Sequence, residues 1–556
     1  MNSRISRLLT FLVLAVLIVS CKSQQAPFTK KDVARGQKLM GLSFEKKAID
    51  TMYRYLNRNR VGYDSLRNYE VDNETFPALM FDPHPAGFEL PAAKEQPVEA
   101  ELDMVKMPTN KQELAFYSIP QLAALIKSRQ LTSVELTRLY LDRIKKYDGQ
   151  LKSVITVTEA LALEQARRAD QEIDAGNYKG VLHGIPYGVK DLMAVEGYPT
   201  TWGAAPYQNQ QLPNTATVVK KLEAQGAVLI AKLVSGSLAR GDVWFGGKTK
   251  NPWDLSQGAS GSSAGSGSAT VAGLVAFSLG TETLGSIVSP STRNGATGLR
   301  PTYGRVSRYG VMSLSWSMDK VGPICRSVED CRIVFNAIYG QDPKDPSTNK
   351  AGFRSAPKVL ADYKVAYLKK DIDRDTSDTG DNLRKALTVF EALGIVPEEL
   401  VLPRDYPYAV FDIILRAEAG AFFDDLVRSG EVDMMVEQTQ GSRANSLRQS
   451  RFIPAVEYLQ ANRQRRRLIE EIHQLFKEYD VIIAPTFGGR QLYITNLTGH
   501  PALSLPTGFD RKGRPTSLTL LGNLYDEGLM LELAKAYQKQ TDFHLQQPPL
   551  FSASND

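Results

Sequence analysis

Four short runs are apolar at consecutive rather than alternating positions: Val228-Leu229-Ile230-Ala231, Val365-Ala366-Tyr367-Leu368, Val481-Ile482-Ile483-Ala484 and Leu518-Thr519-Leu520-Leu521. A strand of this kind has no face to offer water, so it belongs inside a sheet covered on both sides. The intervals between the runs carry helical patterns. Ser118-Ile119-Pro120-Gln121 and Thr132-Ser133-Val134-Glu135 each place a hydroxyl three residues ahead of an amide or carboxyl, the pattern of a capped helix start. After the second, Leu136, Leu139, Tyr140 and Ile144 fall on one helix face. The expectation is an α/β fold. No repeat and no convincing break divides residues 106–550, so one large domain is expected there.

The balance of 67 basic against 61 acidic side chains is mild for 556 residues and gives no electrostatic case for nucleic-acid binding. The densest basic run, Arg463, Arg465, Arg466 and Arg467, is followed by Glu470 and Glu471 and reads as a solvated helix face. Three cysteines cannot build a disulfide framework. Cys325 and Cys331 read as small core residues. Cys21 has a different context. Arg4 and Arg7 precede an apolar run from Leu8 to Val19, broken only by Thr10. That run is shorter than the roughly 20 residues a spanning helix takes, and it fits a secretory leader. It ends in Ile18-Val19-Ser20-Cys21, which resembles a bacterial lipobox. The resemblance implies a lipoprotein signal peptide over residues 1–20 and a membrane anchor through lipidated Cys21. The working place would then be the bacterial cell envelope, on the periplasmic or outer-membrane side. Residues 21–105 read as a tether and an N-terminal helical extension, with the helix over Lys38 to Asn57 and no evident chemistry.

The stretch Gly258-Ala259-Ser260-Gly261-Ser262-Ser263-Ala264-Gly265-Ser266-Gly267-Ser268 has the composition of a flexible linker. Its flanks do not. Asn251-Pro252-Trp253 stands upstream and an apolar run from Ala269 to Leu279 downstream, so this backbone is expected to approach something closely. A phosphate-loop reading of Gly246-Gly247-Lys248-Thr249 fails, because Asp242 stands where the first glycine is required. Gly261-Ser262-Ser263-Ala264-Gly265 matches the G-x-S-x-G elbow of α/β-hydrolases, with Ser263 as nucleophile. That reading also needs a later histidine, and His473, His500 and His544 stand in no compelling context. A third reading joins Lys190 in Gly184-Ile185-Pro186-Tyr187-Gly188-Val189-Lys190-Asp191 with Ser262 and with Ser286, which follows Gly280-Thr281-Glu282-Thr283-Leu284-Gly285.

These last motifs resemble the amidase signature family, nearest to peptide amidases and the A component of glutamyl-tRNA amidotransferase. The likeness runs from about Ser118 to Gln547. It includes Leu131-Thr132-Ser133-Val134-Glu135-Leu136, Asn251-Pro252-Trp253-Asp254, Gly298-Leu299-Arg300-Pro301-Thr302 and Gly499-His500-Pro501-Ala502. It implies a large mixed twisted β-sheet core covered by helices on both faces, an amidase domain over 106–550, and hydrolysis of a carboxamide C–N bond. It further implies Ser286 as nucleophile, Ser262 as bridging serine behind a cis Gly261–Ser262 bond, and Lys190 as base. The backbone amides of Thr283, Leu284, Gly285 and Ser286 would form the oxyanion hole. No cofactor or metal is called for. A small-molecule or peptide amide is the expected substrate, and no nucleic acid is expected, since a leader sequence argues against work on tRNA.

The chemistry is sound on general grounds. A serine hydroxyl needs an adjacent base. A lysine serves only when neutral, and burial depresses its pKa by as much as several units. Departures from the family are also visible. The common T-G-G-S-I-R box is Thr283-Leu284-Gly285-Ser286-Ile287-Val288 here, so Leu284 would strain the turn if a positive φ were required at that position. Two other readings stay open at this point: an α/β-hydrolase-type esterase using Ser263, and a non-catalytic binding lipoprotein with the same fold.

Overall fold

The computed structural model describes residues 28–68, 71–92, 101–353 and 358–555. The segment read as a leader, residues 1–20, and Cys21 lie outside the described residues. The chain forms two compact units, Met1–Asp72 and Asn73–Asp556. In the first, the expected helix is divided. A helix at Lys30–Gly36 runs into a 3₁₀ turn at Gln37–Met40, which stops at Gly41 in the left-handed region, and a longer helix covers Lys46–Arg67.

The second unit is built on an eleven-stranded sheet. In chain order its strands are β1 (Val154–Val157), β2 (Pro186–Lys190), β3 (Val228–Leu233), β4 (Phe277–Glu282), β5 (Thr297–Arg300) and β6 (Lys320–Cys325). They continue as β7 (Val365–Tyr367), β8 (Glu398–Glu399), β9 (Val481–Pro485), β10 (Ala502–Phe509) and β11 (Pro515–Gly522). Their spatial order is β1-β3-β2-β4-β6-β5-β10-β11-β9-β7-β8. The sheet is mixed: β3, β2 and β4 run parallel, as do β9, β7 and β8, while the pairs from β4 through β6, β5, β10 and β11 to β9 are antiparallel. Every residue of β2, β3, β4, β6 and β9 is buried, so both faces of the sheet are covered. The four consecutive apolar runs fall in β3, β7, β9 and β11, with Leu368 just past the end of β7.

Both expected helix starts are capping boxes. Ser118 and Gln121 open the helix Ile119–Lys127, and Thr132 and Glu135 open Ser133–Leu151. The arginine run lies in the helix Ala455–Glu478, and here the expectation of a wholly solvated face needs correction. Arg465 shares the buried face with Ala461, Leu468, Ile472 and Phe476. Its guanidinium donates to Leu497 O at 2.5 Å and to both Ser317 Oγ and Ser317 O at 2.8 Å, and it stacks on the Phe81 ring. Helical spacing put one arginine of the run on the core side, where fixed carbonyls replaced water around it. Cys325 and Cys331 are unpaired and buried, as expected of core residues.

Candidate active site

Strand β2 ends in Lys190, which is fully buried. Its Nζ lies 2.8 Å from Ser262 Oγ and 2.9 Å from Thr281 Oγ1 on the neighbouring β4. Burial pulls the amine well below the ordinary lysine pKa, and the more distant Asp319 and Glu282 carboxylates oppose this without prevailing. The next residue holds the strand end in place. Asp191 pairs with Lys232 at 2.7 Å and accepts from Thr201 N at 2.9 Å and Thr201 Oγ1 at 2.5 Å.

The Gly/Ser segment is not a linker. It turns sharply out of Gly258 and enters the buried helix α1 (Ala264–Val271). The Gly261–Ser262 peptide bond is cis, as the resemblance implies. A methyl group on Gly261 would stand 1.7 Å from Gly241 O, so no other residue fits that approach. Ser262 O accepts from Gly236 N at 3.0 Å. Ser263 N donates to Ser286 O at 3.3 Å, which ties the loop carrying Ser262 to the turn carrying Ser286.

Ser263 itself is committed to structure. Its hydroxyl is buried, donates to Thr281 O at 3.1 Å and accepts from Thr281 N at 3.2 Å. Among the described residues no histidine hydrogen-bonds to it. His500 is buried instead against Phe476, with Nδ1 2.8 Å from Thr498 Oγ1, and burial pushes its pKa down to about 3. These placements leave nothing to support a Ser263–His elbow.

The turn from Thr283 to Ile287 links β4 to the helix α2 (Val288–Asn294). Its positive φ, 89°, falls at Gly285 and not at Leu284, so the leucine causes no strain in this turn. Among the described residues no protein group accepts from the amides of Leu284, Gly285 or Ser286. Ser286 is 9% exposed. The turn is held by a carboxylate the sequence reading did not single out. Glu282 Oε2 accepts from Ile287 N at 2.9 Å and Val288 N at 3.0 Å, while Oε1 accepts from Arg300 Nη1 at 2.6 Å and Asn496 Nδ2 at 2.8 Å. Burial alone would raise its pKa, but Arg300, Lys320 and these hydrogen bonds outweigh that and hold it at about 2. Asp319 braces the same turn from the other side, accepting from Thr283 Oγ1 at 2.6 Å and from the amides of Leu314 and Ser315 at 2.7 and 2.9 Å.

Thr281, Glu282, Asp319 and Lys320 are thus site residues that sequence reasoning missed. The available signal was alternation. In a strand, Thr281 and Thr283 share one face and Glu282 takes the other. A narrow cleft beside Lys190 and the turn is lined by Leu192, Ala239, Thr281, Thr283, Asp319 and Lys320. Asn73, at the start of this unit, meets its outer wall through Val311 O and Ser313 N, each at 3.4 Å.

Comparison with known proteins agrees with this geometry. The family model described as Amidase matches residues 135–494. The A component of glutamyl-tRNA(Gln) amidotransferase from Carboxydothermus hydrogenoformans is 33% identical over 494 residues, covering 79% of this chain and 100% of that protein. The protein of the same name from Marinomonas sp. is 36% identical over 488 residues, covering 78% and 98%. Among solved structures, native peptide amidase from Stenotrophomonas maltophilia superposes with a TM-score of 0.70 at 28% identity, covering 79% of this chain and 100% of that one.

Replacing Glu282 with Gln removes the anion that pairs Arg300, and breaking a buried pair costs about 3–5 kcal/mol. Urea denaturation should register a loss of that order at pH 7. Because the folded pKa is depressed, this contribution is complete above pH 4.5 and disappears as pH falls towards about 2. The gap between Glu282→Gln and the unmodified protein should therefore narrow in acid.

Proposed function

The chain belongs to the amidase signature family and is a hydrolase acting on amide C–N bonds; we propose that it works through an acyl-enzyme on Ser286, with Ser262 and Lys190 as the proton relay, as a lipid-anchored protein of the cell envelope. The observation that carries the catalytic part is the buried Lys190 amine, 2.8 Å from the Ser262 hydroxyl. Desolvation disfavours the charged form of this lysine, and the neutral amine has a lone pair to offer.

In this reading Ser286 Oγ attacks the amide carbonyl carbon while its proton passes to Ser262, and the Ser262 proton passes to Lys190. Negative charge on the carbonyl oxygen is met by the amides of Thr283, Leu284, Gly285 and Ser286, and donors of this kind are worth about 3–4 kcal/mol each in related chemistry. Collapse of the tetrahedral intermediate breaks the C–N bond, and the relay run backwards gives the proton to the departing amine. Water then attacks the ester, losing a proton to the same relay. The acid leaves and Ser286 recovers its hydroxyl. The anchored turn supports this assignment, since donors fixed before reaction need no reorganisation during it.

The relatives named for a glutamyl-tRNA(Gln) amidotransferase belong to a tRNA-linked system by their name. For this chain, the leader before Cys21 supports a free-standing role on a small-molecule or peptide amide outside the cytoplasm.

A fluorophosphonate probe should label the protein at Ser286, read by peptide mass spectrometry. Ser286→Ala should abolish both labelling and ammonia release from amides while leaving the melting temperature near that of the parent. Labelling that persists in this variant refutes the assignment. The relay requires neutral Lys190, so kcat/KM should be lost as pH falls through the depressed lysine pKa. That places the acid limb well below the ordinary lysine value of 10.5. A rate that keeps climbing to pH 10.5 contradicts a desolvated base. For the anchor, Cys21→Ser should move the protein from the membrane to the soluble fraction. Equal fractionation of the two forms ends that part of the proposal.

A further inference from the structure

Residues 73–92 precede the span 135–494 that the family model matches, and they read as part of a tether. In the structure they pack along the second unit as a strap. At its near end, Asn73 meets Val311 O and Ser313 N, each at 3.4 Å. The Phe76 ring then lies 5.3 Å from the Arg308 guanidinium. Phe81 sets its ring edge-on to Tyr303, with centroids 5.0 Å apart, and takes the Arg465 guanidinium on its face at 3.5 Å. The far end is fastened too. Pro83 and Pro85 are buried, His84 Nε2 lies 2.7 Å from Tyr525 Oη, and Arg466 donates to His84 O at 2.6 Å.

These contacts converge on one loop, 311–319. Asn73 touches its start directly. Its later part is held by the three side chains on which the strap rests. Tyr303 Oη and Arg308 Nη1 donate to Trp316 O at 2.6 and 2.8 Å, and Arg465 donates to Ser317 O and Ser317 Oγ, both at 2.8 Å. The loop ends in Asp319, which accepts from Thr283 at the head of the turn leading to Ser286. Arg465 is 1% exposed, and its partners are carbonyls, a hydroxyl and the Phe81 ring rather than a carboxylate. The electron-rich ring face is therefore the cover that suits this cation, and removing it would admit water to compete for the guanidinium.

We infer that the strap is a working part of the catalytic unit and that Phe81 is a positioning residue. By covering Tyr303 and Arg465 it fixes the loop 311–319 and, through Asp319 and Thr283, the turn before Ser286. This rests on the reading of that turn as the oxyanion hole.

The test compares full-length Phe81→Leu, which keeps an apolar side chain without the ring face, with Phe81→Tyr, which keeps the ring. Both are assayed well below their melting temperatures. An interaction that matters only in the transition state lowers kcat and spares KM, so Phe81→Leu should lose about tenfold or more in kcat on a carboxamide with KM within about threefold, and Phe81→Tyr should retain most of the rate. Hydrogen exchange read by mass spectrometry should speed up in Phe81→Leu at the amides of Leu314 and Ser315, which Asp319 accepts, and of Ile287 and Val288 across the turn, while β9 stays unchanged. A merely structural ring would lower the melting temperature but leave kcat and these amides as they are below it, which overturns the inference. A change in exchange without loss of kcat, or the reverse, also overturns it. Exchange needs no turnover, so it separates this inference from the reading beneath it. Absence of turnover in the unmodified protein counts against the catalytic reading, and exchange alone then decides whether the strap holds the turn. Should Phe81→Leu fail to fold, Phe76→Leu decides in the same way: faster exchange at the same four amides supports the inference, and unchanged exchange refutes it.

Discussion

An amine at the end of a strand, sealed from water and set 2.8 Å from a serine hydroxyl, is the contact around which the rest of the site is arranged. An exposed lysine there would be a cation and could accept no proton. The sheet supplies the seal. β2 lies between β3 and β4 with every residue buried, so its last side chain emerges into protein and not into solvent. Its two hydroxyl neighbours come from different places, Thr281 from the adjacent strand and Ser262 from a loop folded hard against Gly241.

Two neighbouring carboxylates hold the site's backbone in place. Glu282 holds the turn after β4 through two amides and balances Arg300, and Asp319 holds it through Thr283. Lys190 is held well below the ordinary lysine range by burial, which the charge of these two carboxylates opposes without overcoming.

Much of the fold was legible in the chain. Consecutive apolar runs announced the covered strands because burial on both faces favours apolar side chains at successive positions, and the hydroxyl–amide and hydroxyl–carboxyl pairs at Ser118 and Thr132 announced helix starts because capping is local chemistry. Lys190, Ser262 and Ser286 were legible through motif, and the structure gathers Lys190 and Ser262 into contact while tying the Ser262 loop to Ser286. Arg465 was misread because the basic run suggested solvent, while its interior partners, Ser317, Leu497 and Phe81, are far away in sequence. Leu284 raised a question about backbone strain that the turn answered by placing its positive φ at Gly285.

By itself, then, the sequence determined which segments must be strands, where helices begin, and which hydroxyls and amine are chemically suited to acyl transfer. These are properties of neighbours along the chain. Only the tertiary structure decided that Ser263 is bound to Thr281 and that Glu282 and Asp319 hold the turn after β4. Those outcomes depend on the register between β4 and β6 and on groups hundreds of residues apart, such as Asn496 and Glu282. Such partnerships join groups far apart along the chain, so they exist only once it has folded.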